Sequence, residues 1–180
     1  FDLETQELTR LTDEPPGYQS SIYLGPDGRQ IAFVSNRDYI DANSMRYRTD
    51  LYVMDADGSN PQRITETGSV GRPVWNPKNN SIAFRSNRPS PGLYRVDIQS
   101  GDVLKVKEDL KERAHLHPNA WSVDGTHLLI TKRELDYPRE NALSLLNLDN
   151  NQLQELHSRL SYDNANPTIT SADWFVPADN

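Results

Sequence analysis

Two histidines stand two residues apart in Ala114-His115-Leu116-His117-Pro118. If that segment is extended, alternation puts both imidazoles on one side of a strand. Two imidazoles so placed make half of a divalent-metal site. A third ligand would have to come from a segment distant in sequence, and Gln19, Asp163 and Asn166 are the candidates. The plainer reading is a pair of half-exposed imidazoles hydrogen-bonded to backbone, with no cofactor, and the residue types favour it.

Arg37, Arg88 and Arg133 are separated by 51 and 45 residues, and each follows a short apolar run. At equivalent places on a repeating scaffold they would present three cations at one height. Guanidinium forks bind carboxylates in a bidentate way, so the set reads as an anion-binding ring or as three local ion pairs to carboxylates such as Asp38, Asp50 or Glu134. Between Tyr39 and Thr49 lie Tyr39, Tyr47, two arginines and a methionine, types enriched at interface anchors. The alternative for that segment is a polar hairpin loop.

Asp55-Ala56-Asp57-Gly58-Ser59 opens like a calcium loop, and Glu66 falls at the twelfth position. However, Asn60 occupies the position that needs glycine and Pro61 follows, so a hairpin turn is the expected structure. No Gly-x-Ser-x-Gly elbow occurs, and the four histidines stand beside no nucleophile signature. The chain therefore reads as a binding protein rather than an enzyme.

The elements that must hold these residues recur. Three times an aromatic or apolar stub meets a polar turn: Leu24-Gly25-Pro26-Asp27-Gly28, Trp75-Asn76-Pro77-Lys78-Asn79 and Trp121-Ser122-Val123-Asp124-Gly125. The apolar runs Ile31–Val34, Ile82–Phe84 and Leu128–Ile130 follow, each short enough for a strand buried on both faces. Next come Leu51–Asp55, Leu93–Asp97 and Leu143–Asn147, then turns rich in Gly, Asn and Asp that tolerate positive φ. No window shows a sustained helical period; Val106 to Ala114 is the best candidate and is mostly charged. The fold class is all-β, and the spacing is close to the ~40–50 residues of a four-stranded propeller blade.

The repeat places blades at residues 17–65, 70–107 and 112–156 of a single domain. Residues 1–12 fit the third and fourth strands of a preceding blade, because Asp2 falls where Asp55 and Asp97 fall. Residues 161–180 begin a further blade. The total is near the bottom of the usual range of roughly 4–8 blades, so the expectation is part of a larger propeller or a chain that completes itself with a second copy through its unpaired edges.

Pro26-Asp27-Gly28-Arg29-Gln30-Ile31-Ala32-Phe33-Val34-Ser35-Asn36-Arg37-Asp38, followed by Asp50 to Thr65, resembles the repeat of the TolB-type, WD40-like propellers of bacteria. The likeness runs through the second repeat and weakens in the third. It implies a propeller around a central channel, periplasmic or otherwise extracytoplasmic, that binds a protein or peptide partner without catalysis. The same repeat is shared by propeller lyases that act on acidic oligosaccharide and by the accessory propellers of prolyl-oligopeptidase-type peptidases. In the lyase alternative, His115 and His117 would be metal ligands or bases and the arginines would grip uronate carboxylates.

Composition narrows the partners. Lys+Arg number 19 against Asp+Glu 26, a net charge of −7, and no basic patch is interleaved with aromatics, which disfavours nucleic acid. No run approaches the ~20 apolar residues of a membrane span. Cysteine is absent, so neither disulfides nor thiolate chemistry contribute.

Overall fold

A computed structural model describes residues 2–12, 19–39, 48–78, 80–109, 114–134 and 140–161. Among them are three four-stranded antiparallel sheets. The first contains β1 (Gln19–Leu24), β2 (Gln30–Ser35), β3 (Asp50–Asp55) and β4 (Gln62–Arg63). The second contains β5 (Val70–Trp75), β6 (Ser81–Ser86), β7 (Gly92–Asp97) and β8 (Val103–Glu108). The third contains β9 (Ala114–Trp121), β10 (His127–Glu134), β11 (Glu140–Asn147) and β12 (Leu153–Ser161). Each is a meander in which sequential strands pair. The charged stretch after Val106 is strand as far as Glu108, and the helical turn described, at Arg37–Tyr39, is a single 3-10 turn.

Both faces of the central strands are buried, so their sequences are continuously apolar rather than alternating. Ala32, Val34, Leu51 and Val53 of the first sheet meet Ile82, Phe84, Tyr94 and Val96 of the second. The opposite face of the second sheet, with Val74, Ala83 and Leu93, meets Leu116, Trp121, Leu128, Ile130 and Leu146 of the third. Burial of such side chains stabilises by roughly 1.5–3 kcal/mol each, and two such layers fasten the sheets face to face. The first strands also pack on one another, β1 on β5 and β5 on β9. The sheets fan out from these first strands as propeller blades do.

Residues 2–12 differ from expectation. They form no strand, but the predicted turn is present. The Asp2 N–H donates to the Glu7 carbonyl at 2.9 Å, as the Asp97 N–H does to Asp102 and the Asn147 N–H to Gln152. Asp2 Oδ1 accepts the N–H groups of Glu4 and Thr5, as Asp97 Oδ1 accepts those of Gln99 and Ser100. Gln6, Gly101 and Asn151 take positive φ at the same place. The segment thus keeps the local hairpin geometry of the repeat, with no strand pairing among the described residues, while Leu11 packs on Ile31, Phe33, Tyr52 and Met54. The expected partner segment at 166–176 lies outside the described residues.

Candidate functional site

His115 and His117 share one side of β9, their ring centroids 6.1 Å apart at an interplanar angle of 76°. In the pairing of β9 with β10, His115 stands opposite Arg133 and His117 opposite Thr131. Both His117 ring nitrogens are buried and have no hydrogen-bond partner among the described residues. Burial, reinforced by the positive charges of Arg72 and Arg85, drives the His117 pKa down to about 3. Burial, then Arg85, lowers that of His115 as well. His117 is therefore a neutral imidazole at physiological pH, able to donate one N–H and accept at the other nitrogen.

Arg85 enters this region from the neighbouring sheet. In β6 it holds the place that Val34 holds in β2 and Thr131 in β10, since these residues pair with Gly71, Ser20 and His117 of their first strands. Its side chain is 7% exposed, and Nη2 lies 2.6 Å from Asp109 Oδ2. Asp109 Oδ1 accepts the backbone N–H of Leu116, the residue between the two histidines, at 3.1 Å. Burial lowers the Arg85 pKa against the opposing pull of Asp109, and Arg85 Nε is left without a partner. A recess beside the pair is lined by Ser90, Pro91, Lys105, Glu108, Asp109, Ala114 and His115.

Arg37, Arg88 and Arg133 do not stand at one height. The N–H at the start of each turn bonds to Gln30, Ser81 or His127. Counted from those residues, Arg37 and Arg88 coincide but Arg133 comes one residue earlier, and Glu134 fills the matching place. Arg37 lies on the rings of Phe33 and Tyr52, 5.0 and 4.9 Å from their centroids. Arg88 and Arg133 are exposed, and Glu134 pairs with Lys132 at 2.8 Å.

A second polar cluster closes the first sheet. Asp50, fully buried, receives Tyr39 Oη at 2.5 Å, Arg63 Nη2 at 2.7 Å, Thr65 Oγ1 at 2.9 Å and the Gly68 N–H at 3.0 Å. The Tyr39 ring is flanked by Arg48 at 4.8 Å and Arg63 at 5.1 Å, and Arg63 reaches Asp38 at 3.4 Å. Tyr39 is thus engaged internally, and Tyr47 lies outside the described residues. The partner of Asp38 and Asp50 is Arg63, which the spacing of Arg37, Arg88 and Arg133 did not point to.

The Asp55 turn is satisfied by its own side chains. Ser59 and Asn60 donate to Asp55 Oδ2, and Ser59 donates to Asp57 Oδ1. Among the described residues no three His, Asp or Glu side chains are grouped to hold a metal ion. Asp163 and Asn166 are outside those residues, and Gln19 accepts from Thr12 Oγ1 at 3.4 Å. No described helix is long and apolar enough to cross a membrane.

Repeated four-stranded sheets stacked face to face, with their first strands together, define this chain as part of a β-propeller. It belongs to the TolB β-propeller domain family, whose model matches residues 2–176. The Tol-Pal system protein TolB of Francisella tularensis is 32% identical over 130 residues, 72% of this chain and 28% of that protein. An uncharacterised peptidase, YuxL, of Bacillus subtilis is 24% identical over 86% of this chain and 21% of its own length. The chain therefore spans between a fifth and a third of these relatives. A solved oligogalacturonate lyase in complex with manganese superposes with a TM-score of 0.64 at 17% identity, covering 88% of this chain and 46% of that one. At that identity the likeness concerns the fold alone.

Proposed function

We propose that this segment is a non-catalytic propeller scaffold that binds a protein or peptide partner at the side of β9 that carries His115 and His117. The observation that carries the reading is His117. Leaving a buried polar group unpaired costs roughly 1–3 kcal/mol, and both His117 nitrogens, on a first strand, are unpaired among the described residues. A partner that supplies hydrogen-bonding groups there recovers that cost on binding. The kinship with TolB supports a place in a Tol-Pal-like assembly, and the resemblance supports a periplasmic or extracytoplasmic setting. The exposed Arg88 and Arg133 extend the proposed contact surface.

The second reading is a propeller lyase acting on acidic oligosaccharide, with His115 and His117 holding a divalent metal. It is favoured by the placement of the two rings on one side of β9. An accessory role beside a peptidase domain, for which the peptidase relative speaks, leaves the scaffold chemistry of this segment unchanged. Binding of purified Tol-Pal partner proteins to immobilised chain, with His117→Ala as the comparison, tests the leading reading. Loss of capture in the variant supports it. Release of unsaturated uronate from oligogalacturonate by the same preparation would replace it with the lyase reading.

A further inference from the structure

His127 has both ring nitrogens engaged, and its partners fix which of them carries the proton. Thr126 Oγ1 donates to Asp124 Oδ1 at 2.8 Å and lies 2.7 Å from His127 Nδ1. A hydroxyl has one hydrogen; with that hydrogen on the carboxylate, Nδ1–H is the donor in the second contact. Nε2 is therefore the bare nitrogen. It lies 3.0 Å from Asn147 Nδ2, a group that only donates. The Asn147 amide is held in this orientation, because its Oδ1 accepts the backbone N–H groups of Asp149 and Asn150 at 2.9 and 3.1 Å. Together these contacts admit a neutral His127 with its proton on Nδ1.

The other two sheets carry different residues at this place. Gln30 faces Asp55 in the first sheet and Ser81 faces Asp97 in the second, where His127 faces Asn147 in the third. Asp97 Oδ1 caps its turn through the N–H groups of Gln99 and Ser100, as Asn147 Oδ1 caps the turn after β11, so a carboxylate serves the cap as well as an amide does. What the amide adds is a donor aimed at the imidazole. A carboxylate there would favour imidazolium, whereas the amide accepts the neutral ring alone. The capped turn also reaches the second sheet, since Lys107 Nζ donates to the Asn151 carbonyl and to Asn151 Oδ1, both at 3.0 Å.

We infer that His127 and Asn147 form a pH-sensitive clasp, which holds the turn at 148–152 against the start of β10 and, through Asn151, against the second sheet. Protonation puts a hydrogen on Nε2, facing the Asn147 Nδ2 hydrogens. Two donors at 3.0 Å repel, and relief requires one of two movements. The side chains separate, or the Asn147 amide reverses and strips Asp149 and Asn150 of their acceptor. Nδ1–H keeps Thr126 in both states, so the change falls on the Asn147 side. The charged groups around the ring are Asp124, in its own turn, and Asp149, in the turn that Asn147 caps. The second sheet contributes the neutral Asn76, whose Nδ2 donates to the Gly125 carbonyl at 3.0 Å.

Proton–nitrogen NMR of the intact chain, followed from about pH 8 to about pH 5, tests the clasp. At the alkaline end the His127 ring is expected to show a protonated Nδ1 and a bare Nε2. On acidification the Asn147 side-chain amide and the Asp149 and Asn150 backbone amides are expected to shift with the midpoint of the His127 ring. His127→Gln takes the residue of the first sheet and should leave those amides in place across the range. Asn147→Asp keeps the cap, as Asp97 does, and gives imidazolium an acceptor, so its turn should stay in place too. A proton on Nε2 at the alkaline end overturns the inference. So do turn amides that ignore the His127 titration in the parent, or that move in Asn147→Asp as they do in the parent.

Discussion

Trp121 donates its indole N–H to the backbone carbonyl of Val74 at 3.0 Å, across the junction between the second and third sheets. Trp75 makes the same bond to the Tyr23 carbonyl at 3.2 Å, across the junction between the first and second. The two tryptophans are equivalent, standing opposite Leu128 and Ile82 in their sheets. Tyr23 and Val74 are equivalent too. Each junction thus carries one aromatic latch aimed at a carbonyl of the preceding first strand. Leu24 occupies the tryptophan position of the first sheet, opposite Ile31, and is 60% exposed.

Removal of one latch should loosen one junction. Trp121→Phe keeps most of the ring but leaves the Val74 carbonyl unpaired in a buried setting, and the expected loss is about 1–2 kcal/mol. Trp75→Phe breaks a longer, solvent-accessible bond and should cost less. Urea denaturation, read as a shift of midpoint at constant slope, gives the order. A Trp75→Phe loss equal to or larger than that of Trp121→Phe would show that the latch bonds do not set the cost.

Asp50 is fully buried and receives four donors. Removing Asp50 takes the acceptor from the buried Thr65 hydroxyl and the Gly68 N–H, at roughly 1–3 kcal/mol for each buried polar group left unpaired, while the part-exposed Arg63 keeps Asp38. Asp50→Ala should therefore destabilise far more than Arg88→Gln, an exposed change expected to stay within about 0.5 kcal/mol. Thermal melts of the two variants beside the parent make the comparison. Similar melting temperatures for Asp50→Ala and the parent would mean that the cluster is solvated in solution.

Gly58 and Gly28 both take positive φ, at 90° and 72°, but in different surroundings. A Cβ on Gly58 would meet the Leu11 carbonyl oxygen at 2.4 Å, whereas one on Gly28 meets nothing within 4 Å. Gly28→Ala should cost only the backbone term, about 1–2 kcal/mol. Gly58→Ala should in addition displace residues 2–12 from the first sheet. Hydrogen exchange reports this directly: faster exchange around Leu11 is expected in Gly58→Ala and not in Gly28→Ala.

Much of the fold was legible because its signals are local. Ile31–Val34, Ile82–Phe84 and Leu128–Ile130 are continuous apolar runs since both of their faces are buried. Asp2 announced its turn because an Asp side chain capping two N–H groups needs only neighbouring residues. The arginine equivalence was not legible in the same way, because the third repeat has one residue fewer between His127 and Arg133 than the others have between Gln30 and Arg37. Counting from Leu24, Trp75 and Trp121 reveals the slip, and the pairing register fixes it. Arg85 was readable in principle: an arginine inside Ile82-Ala83-Phe84-Arg85-Ser86, where the first repeat has Val34, breaks the apolar pattern at a buried position. Its partner Asp109, 24 residues away, is fixed by the sheet and not by spacing, as is Arg63 with Asp50.

His117 gives the chain a pH dependence with a defined sign. Its folded pKa, pushed by burial and by Arg72 and Arg85 to about 3, lies below the ordinary histidine value of about 6.5. The unfolded chain therefore binds a proton that the folded chain refuses, so this residue costs no stability above about pH 6.5 and costs progressively more as pH falls toward 3. Within that window one proton contributes a slope approaching 1.4 kcal/mol per pH unit, an order-of-magnitude figure. His115, lowered by its own burial, adds in the same direction. Chemical denaturation between pH 7 and 5, above most carboxylate titration, should show stability falling with pH in the parent and a shallower fall in His117→Gln. A parent and a His117→Gln variant with the same slope over this range would mean that His117 is solvated and its imidazole nitrogens are not waiting for a ligand.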